Sequence, residues 1–263
     1  MDRPLKNELK AATKAALKAG RAISRFYETS YRISEKAPDD PVTEADLAAN
    51  KIIKSILQNK FPHDGWLSEE DLTNTLRFEK KRVWIIDPLD GTKEFINKNP
   101  EFAISIALIE HNVPILGVIY NPITKDLFQA LKNQGAWRNG KNIHVKDFVA
   151  QEKPHLLVSV SEHKRGEWDQ YQNTFQLTPR GGAAFKMANI AQGCADGTFT
   201  KSPKNEWDIC AGHILIEEAG GIVCDLEGSP ITYNKPITSL PGVVYCNCED
   251  VKKSILLSIA NTQ

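Results

Sequence analysis

The hexapeptide Asp87-Pro88-Leu89-Asp90-Gly91-Thr92 directly follows Arg82-Val83-Trp84-Ile85-Ile86, which has the composition of a β-strand. Asp87 and Asp90 place two carboxylates three residues apart where that strand ends, with the Leu89 carbonyl between them. Oxygen ligands on a rigid backbone are what hard divalent cations such as Mg²⁺ require. The turn therefore predicts a metal site, although Asp-Pro and Asp-Gly are also ordinary turn dipeptides, and Asp90 could cap the next helix.

Three further carboxylates are candidates for this site, because two aspartates alone would leave a pair of cations under-coordinated. Glu69 lies in an acidic run that could instead be a solvated surface, and Asp208 stands at a helix start that it could cap. Asp46, three residues after Thr43, fits a capping box. Its alternative role is to help deprotonate a water, and the residues alone leave these alternatives open.

Gly91 and Thr92 open the segment 92–96, which fits the start of a short helix. Exposed amides at a helix start bind phosphate oxygens readily, and the Thr92 hydroxyl is well placed to orient an attacking water. Two cations about 4 Å apart can lower the pKa of water and clamp the attacking and leaving oxygens of a phosphate ester. Cations beside an anion-binding helix start therefore predict phosphoryl chemistry.

The composition limits the class of protein. The 263 residues, 41% of them hydrophobic, suffice for one large domain or two fused lobes. Lys plus Arg and Asp plus Glu number 33 each, which argues against binding to a nucleic-acid polymer. No run approaches about 18 apolar residues and the first residues lack a signal pattern, so we expect neither a membrane span nor secretion. Five cysteines, an odd number, favour a reducing compartment, and the cytoplasm is the expected location.

Apolar periodicity predicts the elements around the acidic turn. Apolar residues at three- and four-residue steps predict a first helix over 5–26 and a second helix that Thr43 caps. Apolar runs at 102–109 and 113–120 predict a hairpin. The segment 61–66 is predicted to be a turn.

The second half of the chain alternates between strand and helix patterns. We expect a boundary in the charged stretch 150–154. Residues 1–150 would then form an N-terminal α+β lobe with the metal-binding turn, and residues 151–263 a C-terminal α/β lobe that completes the active site. The predicted elements of this half are a strand at 156–160, helices at 183–194 and 209–219, strands at 222–225 and 242–245, and a terminal helix.

Four stretches together resemble the signatures of the inositol monophosphatase family, in its order and at its usual separations. They are Pro41-Val42-Thr43-Glu44-Ala45-Asp46, Ser68-Glu69-Glu70, the hexapeptide 87–92 and Trp207-Asp208-Ile209-Cys210-Ala211-Gly212. The resemblance covers most of the chain, from about residue 36 to residue 221. It implies an α+β layered sandwich (αβαβα), the sugar-phosphatase-like fold of two fused lobes, and hydrolysis of a phosphomonoester with two or three Mg²⁺ ions.

The resemblance also implies roles for individual residues. Thr92, together with Glu69 and Asp46, would activate the nucleophilic water, and the amides of Gly91 and Thr92 would hold the phosphate. The metal-binding residues would be Glu69, Asp87, Leu89 through its carbonyl, Asp90 and Asp208. The remaining substrate contacts would come from Gly181, Gly182, Ala183 and Asp208.

The segment Thr92-Lys93-Glu94-Phe95 is similar to the 3'(2'),5'-bisphosphate nucleotidase branch of the family, which belongs to sulfur assimilation. Inositol phosphatases usually carry an acidic substrate contact before the Trp-Asp pair, where this chain has Lys201 and Lys204. Two lysines suit a second phosphate better than polyol hydroxyls, and a solvated loop is the alternative.

The reaction implied by this branch removes the 3'-phosphate of 3'-phosphoadenosine 5'-phosphate and gives AMP and phosphate. An inositol-1-phosphate or sugar phosphatase on the same scaffold is the alternative, and a non-catalytic metal-binding protein is a third hypothesis. Inhibition by lithium and a monomer or homodimer are further implications of the resemblance. The expected partner is a small phosphorylated substrate.

Two features depart from the family pattern. The family's Lys-x-Asp before the Pro-Val-Thr motif is here Lys36-Ala37-Pro38, with Asp39 and Asp40 after it. Cys210 occupies a position where alanine is common. We expect a small buried residue there, and redox-sensitive activity is the alternative if the thiol can be oxidised.

Overall fold

The computed structural model describes residues 5–37, 40–72, 74–150 and 152–262. Its helices are α1 Lys6–Glu28, α2 Glu44–Lys60, α3 Thr92–Ile96, α4 Val160–Lys164, α5 Ala183–Ala191, α6 Glu206–Glu218 and α7 Glu249–Ala260. Its strands are β1 Ile33–Ala37, β2 Asp40–Thr43, β3 Gly65–Ser68, β4 Arg82–Asp90, β5 Ala103–Glu110, β6 Val113–Asn121, β7 Asp126–Leu131, β8 Gly135–Arg138, β9 Lys141–Ile143, β10 His155–Ser159, β11 Gln176–Arg180, β12 Gly197–Thr200, β13 Lys204–Asn205, β14 Ile222–Cys224, β15 Ser239–Leu240 and β16 Val243–Cys246.

A seven-stranded sheet of β3 to β9, in chain order, organises the first half of the chain. Its neighbours are antiparallel except for β3 and β4, which are parallel. Along β4, Trp84 and Ile86 join the core beneath α1 and α2, whereas Val83 and Ile85 join the core formed with α5 and α6. This alternation follows from the two-residue period of a strand, so the sheet is covered by helices on both faces.

A five-stranded sheet with the order β11-β10-β12-β16-β14 forms the second half. Its inner face shares the core of α5 and α6, through Leu157 and Tyr245 among others. Its outer face packs Val158 and Val244 against Ile255 of α7. The layers are therefore α1 and α2, the large sheet, α5 and α6, the small sheet, and α7. The predicted αβαβα sandwich is confirmed.

Most predicted elements are present with small shifts at their ends. Both N-terminal helices, the capping box of Thr43 and the β5–β6 hairpin are confirmed. The predicted turn at 61–66 is wrong at its end, because Gly65 and Trp66 belong to β3. Strand β3 forms because it pairs with β4, which comes later in the chain, and the local sequence does not reveal this contact.

The two large sheets lie on either side of the predicted boundary at 150–154. Helix α6 nevertheless packs against β5, β6 and β7 of the first sheet, so the two halves share one core. The division into residues 1–150 and 151–263 therefore stays a prediction. Pro38 and Asp39 lie outside the described residues. Within those residues, no helix has the length and apolar character that crossing a membrane requires.

Candidate active site

Strand β4 carries both aspartates of the hexapeptide and ends at the second of them. In a regular strand, residues three apart point to opposite faces. The pairing of β4 with β5 is irregular between Asp87, opposite Ser105, and Asp90, opposite Ala103. Such a bulge changes the direction of the side chains that follow it, and both carboxylates face the same pocket. The expected sharp turn is thus an irregular strand end.

The pocket has a volume of about 210 Å³ and lies where β3, β4, α5 and α6 meet. Glu69 follows β3, and its amide donates to the Ile86 carbonyl at 3.1 Å, which fixes it beside the end of β4. The structure brings together every residue for which a metal-binding role was predicted. These are Glu69, Asp87, Leu89, Asp90 and Asp208.

Asp90 joins the two halves of the molecule at this pocket. Its Oδ1 accepts from the Ala183 amide at 2.9 Å and its Oδ2 from the Ala184 amide at 2.8 Å. Helix α5 begins after Gly182, which has no side chain to cap it. Asp90, at the end of β4, therefore acts as the N-terminal cap of α5. In turn, the free amides and dipole of α5 fix the orientation of its carboxylate.

Two more pocket carboxylates are oriented by backbone amides. Oδ1 of Asp87 accepts from the Leu89 amide at 2.9 Å. Oδ2 of Asp208 accepts from the Asn205 amide at 2.9 Å, inside the capping box of α6. Asn205 is the N-cap of α6, and Asp208 completes the capping box from the first turn instead of standing at the helix start as predicted. The same carboxylate can also face the pocket because it has several acceptor sites.

Burial and mutual repulsion of these carboxylates disfavour their charged forms. The pKa of Asp87 is raised well above its usual value by burial and by Glu69, Asp90 and Asp208. Burial and then Asp208 raise the pKa of Asp90 to about 7. Burial raises the pKa of Asp208 to about 6. Acidic groups held in one buried place need a positive charge to ionise together.

The atoms that could bind a metal in this pocket suit a hard cation because they are all oxygens. Across the residues described, however, no three His, Cys, Asp or Glu side chains converge into a ready-made metal group. Lys36 lies beside this group of carboxylates, with its ammonium 2.6 Å from Glu69 Oε1 and 2.8 Å from Glu70 Oε1. Burial alone would lower the pKa of Lys36, but these two glutamates raise it well above its usual value. An ammonium thus supplies positive charge at the acidic end of the pocket.

Thr92 and Asp46 form a hydrogen-bonded pair next to these carboxylates. The Thr92 hydroxyl lies 3.0 Å from Asp46 Oδ1 and 3.1 Å from the Leu89 carbonyl. Asp46 Oδ2 accepts from the amide and hydroxyl of Thr43, at 2.8 and 2.6 Å. Burial raises the pKa of Asp46 to about 6, although its hydrogen bonds from Thr43 and Thr92 oppose this. Asp46 therefore caps α2 and also accepts from Thr92, so both suggested roles are compatible.

The predicted substrate residues divide into two groups. Gly91, which has a positive φ of 90°, and Gly181, Gly182, Ala183 and Lys204 all line the pocket. A side chain at Gly182 would lie 2.8 Å from the Glu101 carbonyl and 2.9 Å from Asp90 Oδ2, so this approach requires glycine. Lys201 is not among the lining residues, and its ammonium lies 5.9 Å from the centre of the Tyr171 ring.

Sequence reasoning missed two cationic side chains that line the pocket, Lys186 and Arg180. Lys186 is buried in α5, and burial and Lys204 lower its pKa to about 8. Arg180 Nη1 donates to Glu101 Oε1 at 2.5 Å, and Glu101 Oε2 accepts from the Gly181 amide at 2.7 Å. The signal for Lys186 was present in the sequence, since it is the single charged residue of this mostly apolar helix.

Cys210 and His213 lie in α6 below the pocket. Cys210 is fully buried, and burial raises the pKa of its thiol well above the usual value, so the reactive thiolate is disfavoured. All five cysteines are free thiols. His213 Nδ1 lies 2.8 Å from the Tyr233 hydroxyl, and His213 is thus a packed helix residue.

The raised pKa values predict how the stability of the metal-free protein depends on pH. Folded Asp46, Asp90 and Asp208 keep protons up to about pH 6 to 7, whereas an unfolded chain loses them near pH 4. Because the folded state binds more protons in that interval, its stability falls as the pH rises through it. The lowered pKa values of His155 and Lys186, both caused first by burial, act in the opposite direction, that of Lys186 only near pH 8 and above.

We therefore expect the melting temperature in EDTA to fall between about pH 5 and about pH 7. Saturating Mg²⁺ should raise the melting temperature most at the upper end of this range, because a cation that binds only the folded state stabilises it. Thermal unfolding followed by circular dichroism measures both effects. A melting temperature in EDTA that is constant or rises with pH would contradict the electrostatics described above.

The fold and the pocket define an αβαβα sandwich with an acidic pocket between its sheets, and the comparisons with known proteins identify its family. Residues 5–257 match the model of the inositol monophosphatase family, and the chain belongs to this family. It is similar to the 3'(2'),5'-bisphosphate nucleotidase CysQ of Escherichia coli K12, with 36% identity over 223 residues, 83% of this chain and 90% of the relative.

Two further matches come from different members. The inositol monophosphatase of Mesembryanthemum crystallinum is 33% identical over 239 residues, 86% of this chain and 87% of the relative. The crystal structure of the extragenic suppressor protein suhB from Bartonella henselae has a TM-score of 0.85 and 31% identity, and it covers 96% of this chain and 98% of that chain. The protein is therefore an enzyme of this family, a phosphatase of phosphorylated substrates.

Proposed function

We propose that this protein is an Mg²⁺-dependent nucleotidase that hydrolyses the 3'-phosphate of 3'-phosphoadenosine 5'-phosphate to AMP and phosphate. The observation that carries the proposal is that one pocket holds both acidic and cationic side chains. Arg180, Lys186 and Lys204 line it together with the carboxylates. A substrate with two phosphates fits this arrangement, because one phosphate can lie beside bound cations while the second contacts the cationic side chains.

Support for Mg²⁺ comes from the donor set and from its electrostatics. Glu69, Asp87, Asp90 and Asp208, together with the Leu89 carbonyl, would hold two or three ions. Burial raises the pKa values of Asp87, Asp90 and Asp208, so a bound cation would favour their charged forms. When bound, Mg²⁺ would neutralise charge on the phosphoryl group and make a nearby water more acidic.

The Thr92–Asp46 pair is arranged to take a proton from the attacking water. As the water oxygen bonds to phosphorus, the bond between phosphorus and the ribose 3' oxygen breaks. The Thr92 hydroxyl accepts the water's proton and passes its own to Asp46, which lies 3.0 Å away. The leaving oxygen takes a proton from solvent. The Gly91 and Thr92 amides, at the start of α3, would orient the phosphate.

An inositol-1-phosphate or sugar phosphatase is the alternative, which the similarity to the inositol monophosphatase of Mesembryanthemum crystallinum favours. Turnover of 3'-phosphoadenosine 5'-phosphate, inositol 1-phosphate and a sugar phosphate should be measured in parallel, with Mg²⁺ and with a chelator. We expect the bisphosphate to have the highest kcat/KM and the chelator to abolish release of phosphate. Equal or faster hydrolysis of inositol 1-phosphate would overturn the proposal.

The variant Lys186→Met tests the contact with the second phosphate. Loss of one charge-assisted hydrogen bond should raise KM for the bisphosphate roughly 10- to 100-fold, with little change in KM for inositol 1-phosphate. Lys253, exposed on α7, provides the control Lys253→Met, which should leave both values unchanged. The same assay on Lys201→Met and Lys204→Met tests the two lysines predicted from the sequence. We expect the larger effect at Lys204, which lines the pocket.

A further inference from the structure

A second, much smaller cavity lies directly against the active-site pocket. Its volume is about 10 Å³, and it shares Lys186 and Lys204 with the larger pocket. Thr198 and Tyr245 also line it. They are cross-strand partners on β12 and β16, so both side chains point from the small sheet toward α5 and α6.

The hydroxyls of Thr198 and Tyr245 are the unusual feature of this cavity. Both are completely buried, and neither has a hydrogen-bond partner among the residues that the structure describes. Other buried hydroxyls near them do have partners, for example Thr200, which donates to Glu162 Oε1 at 2.6 Å. A buried polar group without a partner is costly, and two such groups beside one cavity indicate a shared ligand.

The size and charge of the cavity determine which ligand fits. A volume of about 10 Å³ is close to the minimum that holds one water and is too small for a larger molecule. Two cationic residues, Lys186 and Lys204, line the cavity and disfavour a cation there. A buried water needs two to four polar partners, and Thr198, Tyr245 and Lys186 supply three.

We propose that one ordered water binds in this cavity, between the hydroxyls of Thr198 and Tyr245 and the ammonium of Lys186. Tyr245 is then a positioning residue, which acts on the substrate through the water and Lys186. The ammonium of Lys186 is buried and attracted by several carboxylates, Glu162, Asp90 and Glu94. A hydrogen bond to a fixed water holds it in one position at the edge of the active-site pocket.

The binding of water is tested without any assumption about the substrate. A crystal structure at high resolution should show a water within hydrogen-bond distance of Tyr245 Oη and Thr198 Oγ1. Tyr245→Phe and Thr198→Val, which keep the shapes of the side chains, should each lower the melting temperature because they remove a partner of that water. A higher or unchanged melting temperature in both variants would overturn the proposal, since removal of an unpartnered buried hydroxyl relieves a cost.

The positioning role is tested by kinetics and rests on the proposed function of Lys186. Tyr245→Phe should raise KM for 3'-phosphoadenosine 5'-phosphate roughly three- to tenfold, the effect of one hydrogen bond, with kcat within about twofold of the wild type. The control Tyr171→Phe loses a hydrogen bond of 2.9 Å to Thr262, and it should lower the melting temperature without a change in KM.

The two kinds of failure can be distinguished. If the wild type does not hydrolyse the bisphosphate, the proposed function fails, whereas the crystal structure and the melting temperatures still decide whether the water binds. If the bisphosphate is the substrate and Tyr245→Phe leaves KM unchanged, the positioning role of Tyr245 is wrong.

Discussion

Replacement of Asp90 by asparagine is expected to lower kcat by about a thousandfold or more, because it removes a charged oxygen ligand from the centre of the acidic pocket. The same variant should raise the melting temperature of the metal-free protein above pH 7. The pKa of Asp90, raised to about 7 by burial and by Asp208, means that folding disfavours its charged form. Asparagine has one oxygen, so it loses one of the two hydrogen bonds that Asp90 accepts from the amides of Ala183 and Ala184, a smaller cost than that of the buried charge.

The opposite signs of these two effects distinguish a functional carboxylate from a structural one. Asp126→Asn is a matched control, because Asp126 is also buried but accepts hydrogen bonds from Arg138 at 2.9 and 2.6 Å, outside the pocket. It should lower the melting temperature and leave kcat unchanged. Steady-state assays and thermal unfolding in EDTA at about pH 8 measure both quantities. If Asp90→Asn lowered the melting temperature as Asp126→Asn does and kept its activity, the assigned role of Asp90 would be wrong.

Replacement of Thr92 by valine is expected to lower kcat by roughly two to four orders of magnitude, the usual contribution of general base catalysis. Valine has nearly the same shape but lacks the hydroxyl that joins Asp46 to the pocket, at 3.0 Å from Asp46 Oδ1. The KM for the substrate should change much less, because the backbone amide of residue 92 is retained.

Thr92→Ser is the control for this prediction, since it restores a hydroxyl and should recover most of the lost activity. The melting temperature of both variants should stay near that of the wild type, because Thr92 is only partly buried. A valine variant with wild-type kcat would show that the Thr92–Asp46 pair takes no proton from the attacking water.

The carboxylates of the site could be predicted from the sequence because they lie in short local motifs. The hexapeptide 87–92, the glutamate after Ser68 and the Trp207-Asp208 pair each occupy one strand end or helix start. Local chemistry therefore indicated oxygen ligands, and the structure places them around one pocket. The irregular pairing between Asp87 and Asp90 was not predictable, because a bulge depends on the partner strand β5 as well as on β4.

Contacts between distant segments explain the features that sequence reasoning missed. Strand β3 is defined by its pairing with β4, and Trp66 was therefore placed in a turn. Arg180 lines the pocket where Glu101, 79 residues away in the chain, holds it. Lys201 and Lys204 have the same local chemistry, yet only Lys204 lines the pocket, since the paths of β12 and β13 decide which side chain faces it.

The most direct test of the acidic pocket as a cation site is anomalous X-ray diffraction from crystals grown with Mn²⁺ in place of Mg²⁺. Anomalous peaks should lie within about 2.5 Å of the carboxylate oxygens of Asp87 and Asp90, with Glu69 and Asp208 among the further ligands. Crystals of enzyme that is active with Mn²⁺ but shows no anomalous peak between these four carboxylates would contradict the cation site, and with it the proposed role of the pocket.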